Sequence, residues 1–244
     1  LDGLLQARNQ SLRGIVNGID YDTYNPGKDK FLTKNYTAKS FKRSKATNKT
    51  ALQKELGLPV DKNQFVIGII SRLTDQKGLD LVDAVMNDIC QDGVQFVVLG
   101  TGNPRYEDMF RYYQSIHPAK VSANIYFSDE LSHKMYGGCD AILVPSRFEP
   151  CGLTQLMALR YGSLPIVRET GGLKDTVIPY NEFEQTGTGF SFTNYNAHEL
   201  LNTINYAKEV FYNQKKNWED MQMRAMNQDY SWASSAMRYE DLYR

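Results

Sequence analysis

Residues 65–100 read FVIGIISRLTDQKGLDLVDAVMNDICQDGVQFVVLG, and the reading of this stretch decides the fold. Its two ends, 65–70 and 94–100, are short apolar runs bounded by polar residues, as strands buried on both faces must be. Between them, apolar residues at 79, 81, 82, 85, 86 and 89 form one stripe of a helix spanning 78–89. A strand, a helix and a second strand make a βαβ unit, in which the strands run parallel.

The same texture continues downstream. Further strands are predicted at 124–127 (NIYF), 141–144 (AILV), 164–168 (LPIVR) and 189–192 (GFSF). Helices are predicted at 105–116, 131–139, 153–162, 171–177, 197–212, 216–227 and 231–243. This alternation predicts an α/β fold, a Rossmann-like doubly wound parallel sheet covered by helices on both faces. Upstream, residues 1–62 are weakly patterned. They hold the turn-rich NGIDYDTYNPGKDK, a basic stretch from Lys39 to Lys49 and a helix stopped by Gly57 and Pro59. The chain therefore divides into a leader with one helix (1–62) and a Rossmann-like domain ending in helices (63–244).

Composition narrows the class of partner. With 28 Lys plus Arg against 28 Asp plus Glu, no broad field draws in nucleic acid or an anionic membrane. Any anion must be met by a local cluster. Cys90, Cys139 and Cys151 form no CxxC pair, and an odd count argues against a disulfide framework. No run reaches transmembrane length and the first residues lack signal-peptide architecture. A reducing cytosol is the expected home. The chain opens on Leu1 and not on Met, so it is read as a piece of a longer polypeptide.

In a doubly wound sheet, ligands bind beyond the carboxyl ends of the strands. There the dinucleotide fingerprint GxGxxG is missing, as is GxxxxGK[ST]. GTGNPR (100–105) reads as a tight turn before it reads as a phosphate cradle. The loop after the first strand carries Arg72 and Lys77, which are either two solvated cations or a fork and a point charge suited to a diphosphate. The loop after AILV reads SRFEPCGLTQ (146–155) and places Glu149 just before a helix. Amides of Gly152, Leu153 and Thr154 would then stand at a helix N-terminus, a ready anion site. Glu149 is either a partner of that helix dipole or an acid with chemistry to perform. A second glycine-flanked helix start, ETGGLKD, brings Gly171 and Gly172. The DYD of Asp20–Asp22 lies in the turn-rich leader and is read against a metal site. His117, His133 and His198 have no ligand spacing, and His133 is read as an ordinary helix residue. Cys151 has no base supplied nearby in sequence and is read as a small residue in a tight loop.

Taken in order, NGIDYDTYNP, SRLTDQKGLDL, VVLGTG, PSRFEPCGLTQLMALRYGSLPIVRETGGLKDTV, GTGF and SWASSAMRYEDLYR closely resemble bacterial glycogen synthases and plant starch synthases. The resemblance runs over nearly the whole chain and is weakest at 28–50 and 103–122. It implies the C-terminal, nucleotide-sugar-binding half of a GT-B retaining glucosyltransferase, whose other half carries a KxGG motif, the remaining glucose contacts and part of the acceptor groove. By position, Arg72 and Lys77 match the family's diphosphate pair, and Glu149 matches the acid beside the transferred glucose. Cys151, Gly152, Leu153 and Thr154 match the segment whose amides meet sugar and phosphate, with Gly171 and Gly172 in the next loop. Phe127 takes the place of the ring that stacks on adenine, where many relatives have tyrosine. Met157 stands where related families carry a ribose-binding glutamate, so ribose contacts come from elsewhere.

The implied reaction moves glucose from ADP-glucose to the non-reducing end of an α-1,4-glucan with retained configuration. No metal and no other cofactor is expected. The implied partners are ADP-glucose or ADP, the glucan and the N-terminal GT-B domain. The implied location is the bacterial cytoplasm, with a plastid as the alternative. Two other readings stay open: a nucleotide-sugar-binding module without activity of its own, and a nicotinamide-dependent oxidoreductase, which the absent GxGxxG disfavours.

Overall fold

The computed structural model describes residues 1–90 and 93–244. A leader carrying α1 (Asp2–Ala7) and α2 (Phe41–Glu55) precedes a regular alternation. This runs β1 (Phe65–Ile70), α3 (Leu79–Ile89), β2 (Val94–Leu99), α4 (Pro104–Ile116), β3 (Val121–Asn124), α5 (Asp129–Gly138) and β4 (Ala141–Val144). It continues through α6 (Thr154–Tyr161), β5 (Leu164–Arg168), α7 (Gly171–Thr176) and β6 (Phe190–Phe192). The chain then closes on α8 (Ala197–Asn213), α9 (Lys215–Met226) and α10 (Trp232–Tyr243).

All six strands are parallel, in the order β3-β2-β1-β4-β5-β6. The order reverses between β1 and β4, which is the topological switch point where a ligand crevice opens. Because strand side chains alternate, β1 feeds two cores. Phe65, Ile67 and Ile69 face one core under α3, α4 and α8, while Val66 joins Leu52, Met135 and Leu173 in the other, under α2, α5 and α7.

One predicted strand is shifted. The third strand is Val121–Asn124 and not 124–127. As the edge strand next to β2 it tolerates Ser122 and Asn124, so the more apolar Ile125–Phe127 pattern misled; those residues lie beyond its carboxyl end. The leader, though weakly patterned, is part of the domain core. Leu32, Tyr36, Phe41 and Leu52 are buried against the second face. Within the basic stretch, Lys45 and Lys49 of α2 are both buried. Lys45 Nζ donates to the carbonyls of Tyr136, Gly137 and Tyr161, capping the ends of α5 and α6. Lys49 pairs with Asp140 at 2.6 Å.

Tyr36 ties the leader to this frame. Its hydroxyl donates to the Tyr161 carbonyl at 2.7 Å in a fully buried setting. Tyr36→Phe is expected to cost about 1–2 kcal/mol by leaving that carbonyl one donor short, read as a lower urea midpoint at unchanged m-value.

Candidate active site

Beyond the carboxyl ends of β1, β4 and β5 three loops are locked together by backbone contacts. Arg147 N–H donates to the Gln76 carbonyl at 2.8 Å, and Gly172 N–H donates to the Glu149 carbonyl at 3.0 Å. Gly78 sits at φ +71, where a Cβ would overlap the Pro145 carbonyl. Gly171 sits at φ +46, where a Cβ would overlap the Glu149 carbonyl. Gln155, completely buried, donates to the carbonyls of Cys151 and Gly152 at 2.9 Å each, and to Thr176. Sequence reasoning missed Gln155, whose amide braces its own turn, and Gly78, whose role depends on the Pro145 loop far away in the chain.

Within this frame Glu149 and Lys77 meet. Lys77 Nζ lies 2.6 Å from Glu149 Oε2, and the Ser146 hydroxyl donates to the same oxygen at 3.0 Å. Both side chains are largely buried, at 17% and 10% exposure. The pair bridges the loops after β1 and β4, across the switch point. Three protons on the Lys77 ammonium leave two for another acceptor once Glu149 has taken one.

Arg72 stands on the outer side of the same loop. It lines a cavity of about 320 Å³ with Phe127, Tyr24, Tyr126, Tyr136 and Asp129. Phe127 is 90% exposed, an aromatic face held out into solvent. Tyr24, from the turn-rich leader, is a wall of this cavity that sequence reading missed; a tyrosine in a segment without periodicity carries no signal of its own. It stacks on His133 with ring centroids 4.9 Å apart. His133, a residue of α5, is buried, with its Nδ1 2.6 Å from Asp29 Oδ2 in a cluster with Tyr161. Burial alone would raise the Asp29 carboxyl, but the bonds from His133 and Tyr161 outweigh it and lower the pKa.

Beyond β4, α6 starts at Thr154 with no side-chain cap on its first turn. The amides of Gly152, Leu153 and Thr154 therefore precede or open an uncapped helix. The Gly172 amide donates to the Glu149 carbonyl and so ties the α7 start to the Glu149 loop. Cys151 Sγ makes only a long contact of 3.5 Å to the Gly152 carbonyl. Asp20 is committed to its own turn, accepting from Asp22 N–H and the Thr23 hydroxyl, and Asp22 pairs with Lys28. Among the described residues no group of three or more His, Cys, Asp or Glu is placed to hold a metal ion. Burial pushes the Cys90 thiol up to about 11 and the Cys139 thiol up to about 12. No helix among the described residues is long and apolar enough to cross a membrane.

Comparison with known proteins shows the family of the chain. The chain is 63% identical over 243 residues to a glycogen synthase of Lachnospira eligens, matching all of this chain and 51% of that protein. It is 56% identical to a glycogen synthase of Clostridium acetobutylicum, again over 51% of its length. The chain thus spans about half the length of the curated relatives it matches. Among solved structures it is similar to the catalytic domain of starch synthase IV from Arabidopsis thaliana bound to ADP and acarbose. The TM-score is 0.91 at 35% identity, over 99% of this chain and 50% of that one. The C-terminal domain of a glycosyl transferase group 1 family protein from Francisella tularensis shares the fold alone, with a TM-score of 0.59 at 13% identity over 98% of its length. The model for glycosyl transferases group 1 matches residues 49–220. That match runs from the middle of α2 into α9 through every strand of the sheet, and the chain belongs to the group 1 glycosyl transferases.

Proposed function

We propose that the chain is the nucleotide-sugar half of a glycogen or starch synthase, moving glucose from ADP-glucose to the non-reducing end of an α-1,4-glucan with retention, in the cytoplasm. The observation that carries this reading is the Lys77–Glu149 pair across the switch point. The candidate residues follow one another along the row of strand ends. Phe127 lies past β3, Arg72 and Lys77 past β1, Glu149 past β4 and Gly171 past β5. At about 4.8 Å per strand interval this row has room for base, diphosphate and sugar in turn.

In this reading Phe127 stacks on the base, and Arg72 with Lys77 takes up charge on the departing diphosphate beside the α6 amides. Such charge stabilisation needs no metal. Lys77 is also the counter-ion that lets a carboxylate and a diphosphate share one crevice. Glu149, held by Ser146 and Lys77, faces the sugar and balances positive charge as the glycosidic bond to phosphate breaks. Acceptor binding and turnover belong to the whole polypeptide, so this chain alone is expected to bind nucleotide and transfer nothing. Labelled glucose moving from ADP-glucose to glycogen, by a protein joining this chain to an amino-terminal GT-B domain, tests the proposal. Transfer from UDP-glucose alone, or none from a folded protein, would contradict it.

Phe127→Ala removes an exposed ring without disturbing the core. It is expected to weaken ADP binding about tenfold or more, the worth of one base–aromatic stack, with an unchanged melting temperature.

A further inference from the structure

A second cavity, of about 530 Å³, lies at the opposite edge of the sheet. It is lined by Lys62 and Asn63, just before β1, and by Asp140, just before β4. It therefore opens at the amino ends of the strands, whereas the nucleotide crevice opens at their carboxyl ends. Although the chain is neutral overall, six cations line this cavity against two carboxylates. Both carboxylates are already paired, Asp140 with Lys49 at 2.6 Å and Glu219 with Lys42 at 2.5 Å. Arg43, Lys62 and Lys215 stand at the rim as exposed side chains on three separate segments, and none has a carboxylate partner among the described residues. Phe211, half-buried, supplies an aromatic wall backed by the buried Trp218, with Lys49 Nζ 4.9 Å from the Phe211 ring centroid.

Converging like charges repel, and a low-dielectric wall behind them focuses the field toward the opening. The aromatic wall gives a compact body something to lie against. We propose that this cavity is a second ligand site, for a small phosphate ester, with the phosphate between Arg43, Lys62 and Lys215 and the body on the aromatic wall. The volume falls within the range of small-molecule sites, about 300–1,000 Å³. Lys45, buried in the cavity lining, adds to the field: burial lowers its ammonium to about 7, and an anion nearby favours the charged form. The same ammonium caps α5 and α6, whose first turns lie at the nucleotide crevice, so the two sites share rigid elements.

The test uses the chain carrying Trp232→Phe, which leaves Trp218 as the only indole, and Arg72→Ala, which weakens phosphate binding in the nucleotide crevice. Ribose-5-phosphate and inorganic phosphate are titrated by Trp218 fluorescence and by calorimetry. The expected result is saturable binding of ribose-5-phosphate, at least about fivefold tighter than inorganic phosphate because the body meets the wall. Lys62→Glu with Lys215→Glu is expected to weaken it at least about tenfold at an unchanged melting temperature. Arg43→Glu, on a different element, should reproduce the loss. No saturable response, equal affinity for the two probes, or binding indifferent to these charge reversals would overturn the proposal and leave an ordinary solvated cationic face.

Discussion

Glu149→Ala, made in the whole polypeptide, is expected to lower turnover with ADP-glucose by about 10³-fold, the effect of removing one preorganised electrostatic group from a site that excludes water. The structure gives two reasons for so large an effect. Glu149 is 9% exposed and oriented by Ser146 and Lys77, so it cannot be replaced by water without loss of geometry. It is also the counter-charge of Lys77, so its removal frees that ammonium to bind phosphate more tightly. ADP affinity should therefore hold or rise while turnover collapses. That split separates a role at the sugar from a merely structural one, because a collapsed loop would lose both. Glu149→Gln keeps the shape and the hydrogen bond from Ser146 but not the charge. It should fall close to the alanine variant in turnover if charge is what matters.

Gly171→Ala is expected to combine a loss of about 2–3 kcal/mol in stability with a fall of about 10²-fold in turnover. Gly171 sits at φ +46, which alanine adopts only with strain, and its Cβ would enter the Glu149 carbonyl. The clash is with backbone, so no side-chain rotation relieves it. The loop of residues 149–151 must move away, carrying the Glu149 carboxylate with it, and a displacement near 1 Å is enough to cost about a hundredfold. Urea unfolding reads the first effect and a transfer assay at saturating donor reads the second. Unchanged turnover in the destabilised protein would mean that the Glu149 loop is not held from below.

The parts of the fold that were legible in the sequence are those buried on both sides. β1, β2, β4 and β5 are apolar runs because each faces helices above and below, and no other environment demands that. β3 was misplaced because an edge strand needs only part of that apolar character, so Ser122 and Asn124 hid it. The positions of the candidate residues were legible as a set of loops: Arg72, Lys77, Glu149 and Phe127 all stand past strand ends. The contacts among them were not. Lys77 and Glu149 are 72 positions apart, and only the β2-β1-β4 order makes their loops neighbours. Lys45 and Lys49 were hidden for another reason. A lysine-rich helix reads as solvated, and nothing local tells that two ammonium groups are aimed inward at helix ends and a buried aspartate. Tyr24, Asp29 and His133 needed a turn-rich leader to fold onto α5, a tertiary event with no periodicity to announce it.

The central claim is that these loops form a nucleotide-sugar half-site in this chain. Calorimetric titration with ADP, with UDP and NAD as comparators and Arg72→Ala as the control, tests it most directly. ADP is expected to bind at one site, about tenfold more weakly in Arg72→Ala through loss of a charge-assisted phosphate contact, with UDP weaker and NAD not bound. A folded chain that binds no ADP, or binds it equally well without the Arg72 guanidinium, would contradict it.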